Sequence, residues 1–299
     1  MNKNKVIGIM ACDLRQVYMA QFIMNKGYLV NLICSENLAQ DKKFKDIINR
    51  LIGSNTHNKL HVICDIDEFI RLSQVIVTPI PFNKISEFII IPKFIHLLEE
   101  KEDKSMCWLY TGYIEDEFRS SLEDKKINYI DNSKCEKLTI YNSIATAEGI
   151  IAEAIINKNT NIHGSQVLVL GYGRCGKTLA LKLKGLNANV SVCARREEDL
   201  AMAYSVGYNT VDLHNLIMAI NKYEYIFNTI PYMILDEAML QKVSSNSLIL
   251  DIASTPGGVD KNAACKYGIS VKHILGIPGK YSPKASGVAL AKAFLDINI

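Results

Sequence analysis

The hexapeptide Gly171-Tyr172-Gly173-Arg174-Cys175-Gly176 constrains this chain more than any other stretch. Four apolar residues, Val167–Leu170, stand directly before it, and a helical pattern through Leu186 follows. Strand, glycine turn and helix in that order open a βαβ unit. The first glycine then permits the tight turn, the second lets a pyrophosphate approach the backbone, and the third lets the helix pack close to the strand. The helix N-terminus offers N–H groups and a positive dipole end to the phosphates. This reading makes Gly171, Tyr172, Gly173, Arg174, Cys175 and Gly176 a dinucleotide-binding loop. A mere tight turn is the bland alternative.

The next strand pattern, Val190–Cys193, ends in Ala194-Arg195-Arg196. Sites that prefer NAD carry Asp or Glu at this strand end, as an acceptor for the ribose 2′-hydroxyl. The nearest acids here, Glu197 and Glu198, belong to the following helical pattern. A small residue followed by Arg195 and Arg196 suits the 2′-phosphate of NADP instead, through charge-assisted hydrogen bonds. The expectation is NADP, with NAD as the lesser possibility; the alternative is that both arginines face solvent. Two later strand ends face the same crevice, at Asn228-Thr229-Ile230-Pro231 and at Asp251-Ile252. Asp251 is either a cofactor neighbour or a plain strand-end cap.

Short apolar runs alternating with helical segments fill the whole chain, which indicates βα units and mostly parallel sheets. The predicted fold is α/β, with two Rossmann-like doubly wound parallel-sheet domains separated by a cleft. Strand candidates in the first half are Lys5–Met10, Leu29–Ile33, Leu60–Ile63, Val75–Thr78, Met106–Tyr110 and Ile127–Ile130. A helix over Arg15–Asn25 closes at Gly27, and Asp41–Asn58 reads as a solvated helix and loop. Apolar residues at 144, 147, 151, 154 and 155 predict a connecting helix. The second half continues with strands at Asn209–Leu213, Tyr225–Ile230, Leu248–Ile252 and Ser270–Ile274 and a helix over Glu197–Val206. The expected division is a first domain over 1–141, a connector over 142–160, a dinucleotide-binding domain over 161–284 and a terminal helix over 285–299 that packs back on the first domain. The segment Val6–Asp13 reads as a degenerate copy of the later glycine turn, with Gly8 in the place of Gly171.

Composition narrows the function classes. At 299 residues the chain has room for two hydrophobic cores. A net charge of +3 without a long Lys/Arg block gives no footprint for nucleic acid. No apolar run approaches the roughly 20 residues of a membrane helix. The apolar start at Val6 is broken by Asp13 and Arg15, so a first strand is the better reading than a secretion signal. Eight cysteines without a CxxC pair read as reduced cytosolic core thiols, and no set of side chains is read as a metal site.

Three segments are candidates for the substrate side: Asp13-Leu14-Arg15-Gln16, Asn142–Gly149 and Gly276–Lys284. The motifs DxRQ, NSIxTAEG, GYGRCGKTLA, DIASTPGGVD and LGIPGKYSPKASG together resemble the A subunits of dipicolinate synthases, from Val6 to the last helix. Met10-Ala11-Cys12 departs from that pattern where glycines are expected. The resemblance implies a fold akin to D-2-hydroxyacid and alanine dehydrogenases. It also implies a cytoplasmic enzyme of the sporulating mother cell that makes dipicolinate from a hydroxytetrahydro- or dihydrodipicolinate of the lysine pathway. The implied partner is the flavoprotein-like B subunit of dipicolinate synthase, within a homo- or hetero-oligomer.

For such a dicarboxylate, Arg15 and Lys280 are the first choices as cationic partners, with Asn142, Thr146, Ser254 and Ser282 as neutral ones. Glu148 is the candidate acid/base if the site desolvates it, and equally a helix-capping carboxylate. Tyr281 is a candidate for proton transfer or ring stacking. Two other readings stay open. One is another NAD(P)-dependent dehydrogenase, although His273 sits in a strand pattern and reads as a packed residue. The other is a cofactor-binding protein that is not catalytic alone.

Overall fold

A computed structural model describes residues 5–53, 58–101 and 107–297. The chain divides into two compact units, Met1–Tyr141 with Pro283–Ile299, and Asn142–Ser282. In the first, β1 (Val6–Ala11), α1 (Leu14–Asn25), β2 (Leu29–Cys34), α2 (Glu36–Gln40), α3 (Lys42–Gly53) and β3 (Leu60–Val62) form one half. The other half is α4 (Ile66–Leu72), β4 (Val75–Val77), α5 (Ile91–Glu99), β5 (Trp108–Thr111), α6 (Asp116–Asp124) and β6 (Asn128–Asp131). A long helix, α7 (Glu136–Asn157), leads into the second unit. There β7 (Gln166–Leu170), α8 (Arg174–Gly185), β8 (Asn189–Ala194), α9 (Glu197–Ser205), β9 (Asn209–Asp212) and α10 (Leu216–Ala219) come first. Then follow β10 (Tyr225–Asn228), α11 (Glu237–Leu240), β11 (Leu248–Asp251), α12 (Lys261–Lys266), β12 (Ser270–His273) and α13 (Ile277–Tyr281); α14 (Pro283–Leu295) returns to the first unit.

Both sheets have six parallel strands, in the orders β3-β2-β1-β4-β5-β6 and β12-β11-β10-β7-β8-β9. Counted within its own unit, each sheet therefore reads 3-2-1-4-5-6, the doubly wound Rossmann order. Strand residues are apolar on both faces because helices cover both. In β7, Val167 and Val169 join one core cluster and Leu168 and Leu170 the other. In β1, Ile7 and Ile9 face α1 while Met10 faces the cluster around Phe69 and Phe94.

The structure revises several expectations. Gly8 lies inside β1, not in a turn, and a Cβ there would run into Ser73 and the Phe69 ring. It serves helix packing, and the turn after β1 is Cys12 alone before the helix cap Asp13. The stretch after Asp41 is not a solvated helix: α3 buries Phe44, Ile47, Ile48 and Leu51 in the core. In α7 the buried stripe is Ala147, Ile150, Ile151 and Ala154, whereas Ile144 and Ile155 lie on its flank and are exposed. An i, i+3, i+4, i+7 set defines one helix face, and those two fall outside it. The strand candidate Met106–Tyr110 corresponds to β5, with Met106 outside the described residues. The proline- and glycine-rich stretch after Gly276 is helical. Gly276 enters α13 at φ +67°, and Pro278 stands in its first turn.

Helix α14 seats on α1 through Gly287, where a Cβ would run into the Arg15 carbonyl and Tyr18. Beyond it Leu290, Ala291 and Phe294 are buried, and the Phe294 ring meets Tyr110 edge-on at 5.1 Å. Since the obstacle is backbone, overpacking outweighs the gain in helix propensity. Gly287→Ala is expected to destabilise the first unit by about 1–3 kcal/mol, measured by urea unfolding against the parent chain.

Candidate functional site

The second unit builds its site at the carboxyl end of β7, beside β10, where the strand order reverses. Gly171 leaves β7 at φ +93°, and a Cβ there would lie 2.5 Å from Thr229 Oγ1. Thr229 itself donates from both its N–H and its hydroxyl to the Leu170 carbonyl, at 3.0 and 2.9 Å. At Gly176 a Cβ would run into the Gly171 carbonyl, so only hydrogen fits between helix and strand. Gly173 differs: a Cβ there would meet nothing within 4 Å. It is the N-cap of α8 and supplies no side-chain cap. The N–H groups of the first turn thus face an unobstructed approach, the geometry a pyrophosphate requires.

A cavity of about 320 Å³ opens beside this loop. Gly171, Tyr172 and Gly173 form one side, Thr229–Tyr232 another, and Ala194–Arg196 with Asp199 the far end. Leu213 and Ile234 add apolar wall. The Tyr172 side chain is buried against Tyr208, and burial, then Asp199, pushes its phenol up from the ordinary value. Cys175 is half-buried, and burial likewise raises its thiol.

Arg195 and Arg196 both stand at the end of β8, but they are not equivalent. Arg196 donates through Nε and Nη2 to Asp199 Oδ2, each at 2.8 Å. Arg195 is exposed and forms no ion pair among the described residues. Asp199 escapes a reading of the sequence because it is not at the strand end. Side chains in a first helical turn lean back toward the N-terminus, which is the signal that places a third helical residue there.

Asn228 and Asp251 do not face the cavity; both are buried and hold the chain turns together. Asp251 accepts from Asn228 Nδ2 at 2.9 Å, from Ala253 N at 3.0 Å and from Gly258 N at 2.9 Å. Asn228 also donates to the Ile230 carbonyl and accepts from its N–H. Ile252 packs against the core, while Ser254 is exposed on the turn so fixed. Thr229, Ile230 and Pro231 do line the cavity. His273 bonds the Ala253 carbonyl at 2.9 Å from the edge strand β12.

The candidates on α7 and α13 take up other partners. Ser143 Oγ meets Thr178 Oγ1 at 2.8 Å, and Glu148 pairs with Lys182 at 2.8 Å, so α7 runs alongside α8 away from the phosphate loop. Glu148 is exposed and mid-helix, neither desolvated nor a cap. Five residues further on, about 7.5 Å by helical rise, Glu153 binds Lys280 Nζ at 2.5 Å, the Tyr281 hydroxyl and Asn157 Nδ2 at 3.0 Å. Lys280 and Tyr281 are therefore engaged at the far end of α7, not beside the loop. Gly149 makes this possible, since a Cβ there would run into Ile277 and the Tyr281 ring. Asn142 and Thr146 sit nearer the loop end of α7, with Thr146 Oγ1 on the Asn142 carbonyl. Ser282 is half-buried just after α13.

In the first unit, Arg15 is almost buried and pairs with Asp13 at 2.7 Å, with a further contact to the Ile80 carbonyl at 3.4 Å. Asp13 also accepts from Arg15 N, and Gln16 completes a capping box on the Asp13 N–H. The DxRQ motif thus caps its own helix, with Asp13 satisfied by Arg15 and Gln16, while Gln16 Nε2 is buried without a partner among the described residues.

Residues 140–266 match the NAD-binding domain of the D-isomer-specific 2-hydroxyacid dehydrogenases. The dipicolinate synthase A subunit of Bacillus subtilis is 37% identical over 185 residues, 62% of this chain and 62% of that protein. The chain is similar to the A subunits of dipicolinate synthase. The aligned stretch is less than two thirds of the curated relative's length. A crystal structure of the Bacillus halodurans A subunit extends the likeness, with a TM-score of 0.82, 26% identity and coverage of 97% of this chain and 96% of that one. The corresponding crystal structure from Bacillus subtilis gives 0.81, 28%, 98% and 95%. A dehydrogenase-type dinucleotide-binding domain fits the loop and cavity described above. No helix of the described residues is long and apolar enough to cross a membrane.

The Glu153 cluster carries a pH signature. Hydrogen bonds from Lys280 and then Tyr281 hold the Glu153 carboxyl below its ordinary value of 4.5. A depressed carboxylate contributes stability above its unfolded pKa and loses it as pH falls through the folded one. Glu153→Gln is therefore expected to lower the melting temperature at pH 7 and to narrow its difference from the parent chain below pH 4.5. A gap that stays constant down to about pH 3 would contradict this, as read by thermal melts across the series.

Proposed function

We propose that this chain is the cofactor-binding, redox-active component of a dipicolinate synthase, using NADP in preference to NAD. The observation that carries the reading is the uncapped start of α8 at Gly173, beside a cavity that ends at Arg195, a cation without an ion pair among the described residues. The likeness to dipicolinate synthase A subunits supplies the substrate class. A bound nicotinamide would supply the acceptor for a hydride from a ring carbon of the substrate. The protein's own share is to bind and orient. The first turn of α8 takes the pyrophosphate, and Arg195 takes the 2′-phosphate by charge-assisted hydrogen bonds.

The proposed substrate is a hydroxytetrahydro- or dihydrodipicolinate of the lysine pathway. Conversion gives up a hydride to the cofactor and a proton to solvent, plus one water from the hydrated form, and yields the aromatic ring. Asn142, Thr146, Ser254 and Ser282 are the proposed contacts to the substrate within the second unit. Within the first unit Arg15 is a proposed carboxylate partner, for which a substrate would compete with Asp13. The setting proposed is the cytoplasm of a sporulating mother cell, with the flavoprotein-like B subunit as partner. In a second reading the chain binds cofactor but completes chemistry only with that partner. This is favoured by the engagement of Glu148, Lys280 and Tyr281 by other side chains.

Ultraviolet detection of dipicolinate, from enzymatically generated precursor plus NADP, tests the activity. Product from the chain alone supports the first reading, and product only with the partner supports the second. No product in either case contradicts both. Cofactor choice is tested by titration: Arg195→Ala is expected to weaken NADPH about tenfold or more while leaving NADH unchanged. Comparable affinities of the parent chain for the two cofactors would overturn the NADP assignment.

A further inference from the structure

The far end of the cavity holds two arginines and one carboxylate in an unequal arrangement. Arg195 stands without an ion pair among the described residues, whereas Arg196 gives both Nε and Nη2 to a single oxygen, Oδ2, of Asp199. The other carboxylate oxygen, Oδ1, accepts no hydrogen bond among the described residues. Asp199 lines the cavity with its side chain only 15% exposed, while Arg196 is 66% exposed. The acid is thus part of the wall, and the arginine lies over it on the solvent side.

This arrangement has two effects on a ribose that reaches the end of β8. A 2′-phosphate would meet one available guanidinium instead of two, because Asp199 neutralises and orients Arg196. It would also meet the negative charge of Asp199 itself, a cost for a dianion at close range. A free 2′-hydroxyl would find in Oδ1 an acceptor with no competing donor among the described residues. The strand end itself, Ala194, supplies neither group.

We propose that Asp199 sets the cofactor specificity of this site, restraining the preference for a 2′-phosphorylated dinucleotide by holding Arg196 and accepting the hydroxyl of the unphosphorylated one. This rests on the reading of the cavity as the dinucleotide site. Asp199→Asn removes the charge and releases Arg196 but keeps an acceptor oxygen. Asp199→Ala removes the acceptor as well. Neither change replaces a residue of the phosphate loop, although each lifts the influence of Asp199 on the Tyr172 phenol, and Asp199 supplies no N-cap to its helix.

The test is direct titration of NADPH and NADH, by fluorescence or calorimetry, into the full chain and its variants. Asp199→Asn is expected to tighten NADPH about tenfold, the effect of one added charge-assisted contact, with NADH little changed. Asp199→Ala should tighten NADPH similarly and weaken NADH several-fold. Adding Arg196→Ala to Asp199→Asn should remove the share of the gain that the released Arg196 supplies, leaving the smaller gain from the lost Asp199 charge. An unchanged NADPH-to-NADH ratio in both Asp199 variants, or a gain left wholly undiminished by the loss of Arg196, would overturn the proposal. Failure of the parent chain to bind either dinucleotide is a different result, and it would overturn the cofactor reading itself.

Discussion

The loop end of the second unit is arranged around one close approach, the Cα of Gly176 against the carbonyl of Gly171. A methyl group does not fit there, so the first turn of α8 lies directly over the end of β7. That contact aims the N–H groups and positive dipole end of a twelve-residue helix across the point where the strand order reverses. The neighbouring strand end supports it from the other side, with Thr229 locked to the Leu170 carbonyl. Asp251 and Asn228 then fix the next two turns from beneath, as buried anchors that shape the rim without touching the cavity.

The two units share one sheet topology and differ in how their first helix begins. In the second, Gly173 leaves the start of α8 without a side-chain cap. In the first, Asp13 caps α1, binds Arg15 and forms a capping box with Gln16. A carboxylate of the chain itself thus occupies the place where a phosphate would bind. The same fold can therefore present an anion site once and close it once, by exchanging a glycine for an aspartate at a single helix start.

The doubly wound class was legible because parallel strands covered on both faces read as continuous apolar runs between helical patterns. The phosphate loop was legible because steric demands leave glycine alone at Gly171 and Gly176. Side-chain partnerships were not. Lys280 and Tyr281 look like free polar groups in a glycine-rich stretch, but their partner Glu153 lies more than a hundred residues earlier. Glu148 stands in a distinctive motif yet points to Lys182 on a neighbouring helix. Asp199 lay hidden because the reach of a helical side chain, not its place at a strand end, brings it to the cavity. Gly8 misled for a related reason: in one dimension a glycine kept for packing against Phe69 looks like one kept for a turn.

With α1 capped by its own carboxylate, the proposed dinucleotide site is in the second unit, on the uncapped helix start at Gly173. A crystal structure of the chain grown with NADPH tests this most directly. The predicted result is density for the pyrophosphate on the first turn of α8, with the 2′-phosphate against Arg195. Density for the dinucleotide at the Asp13 end of α1, or phosphates bound away from the Gly171–Gly176 loop, would contradict it.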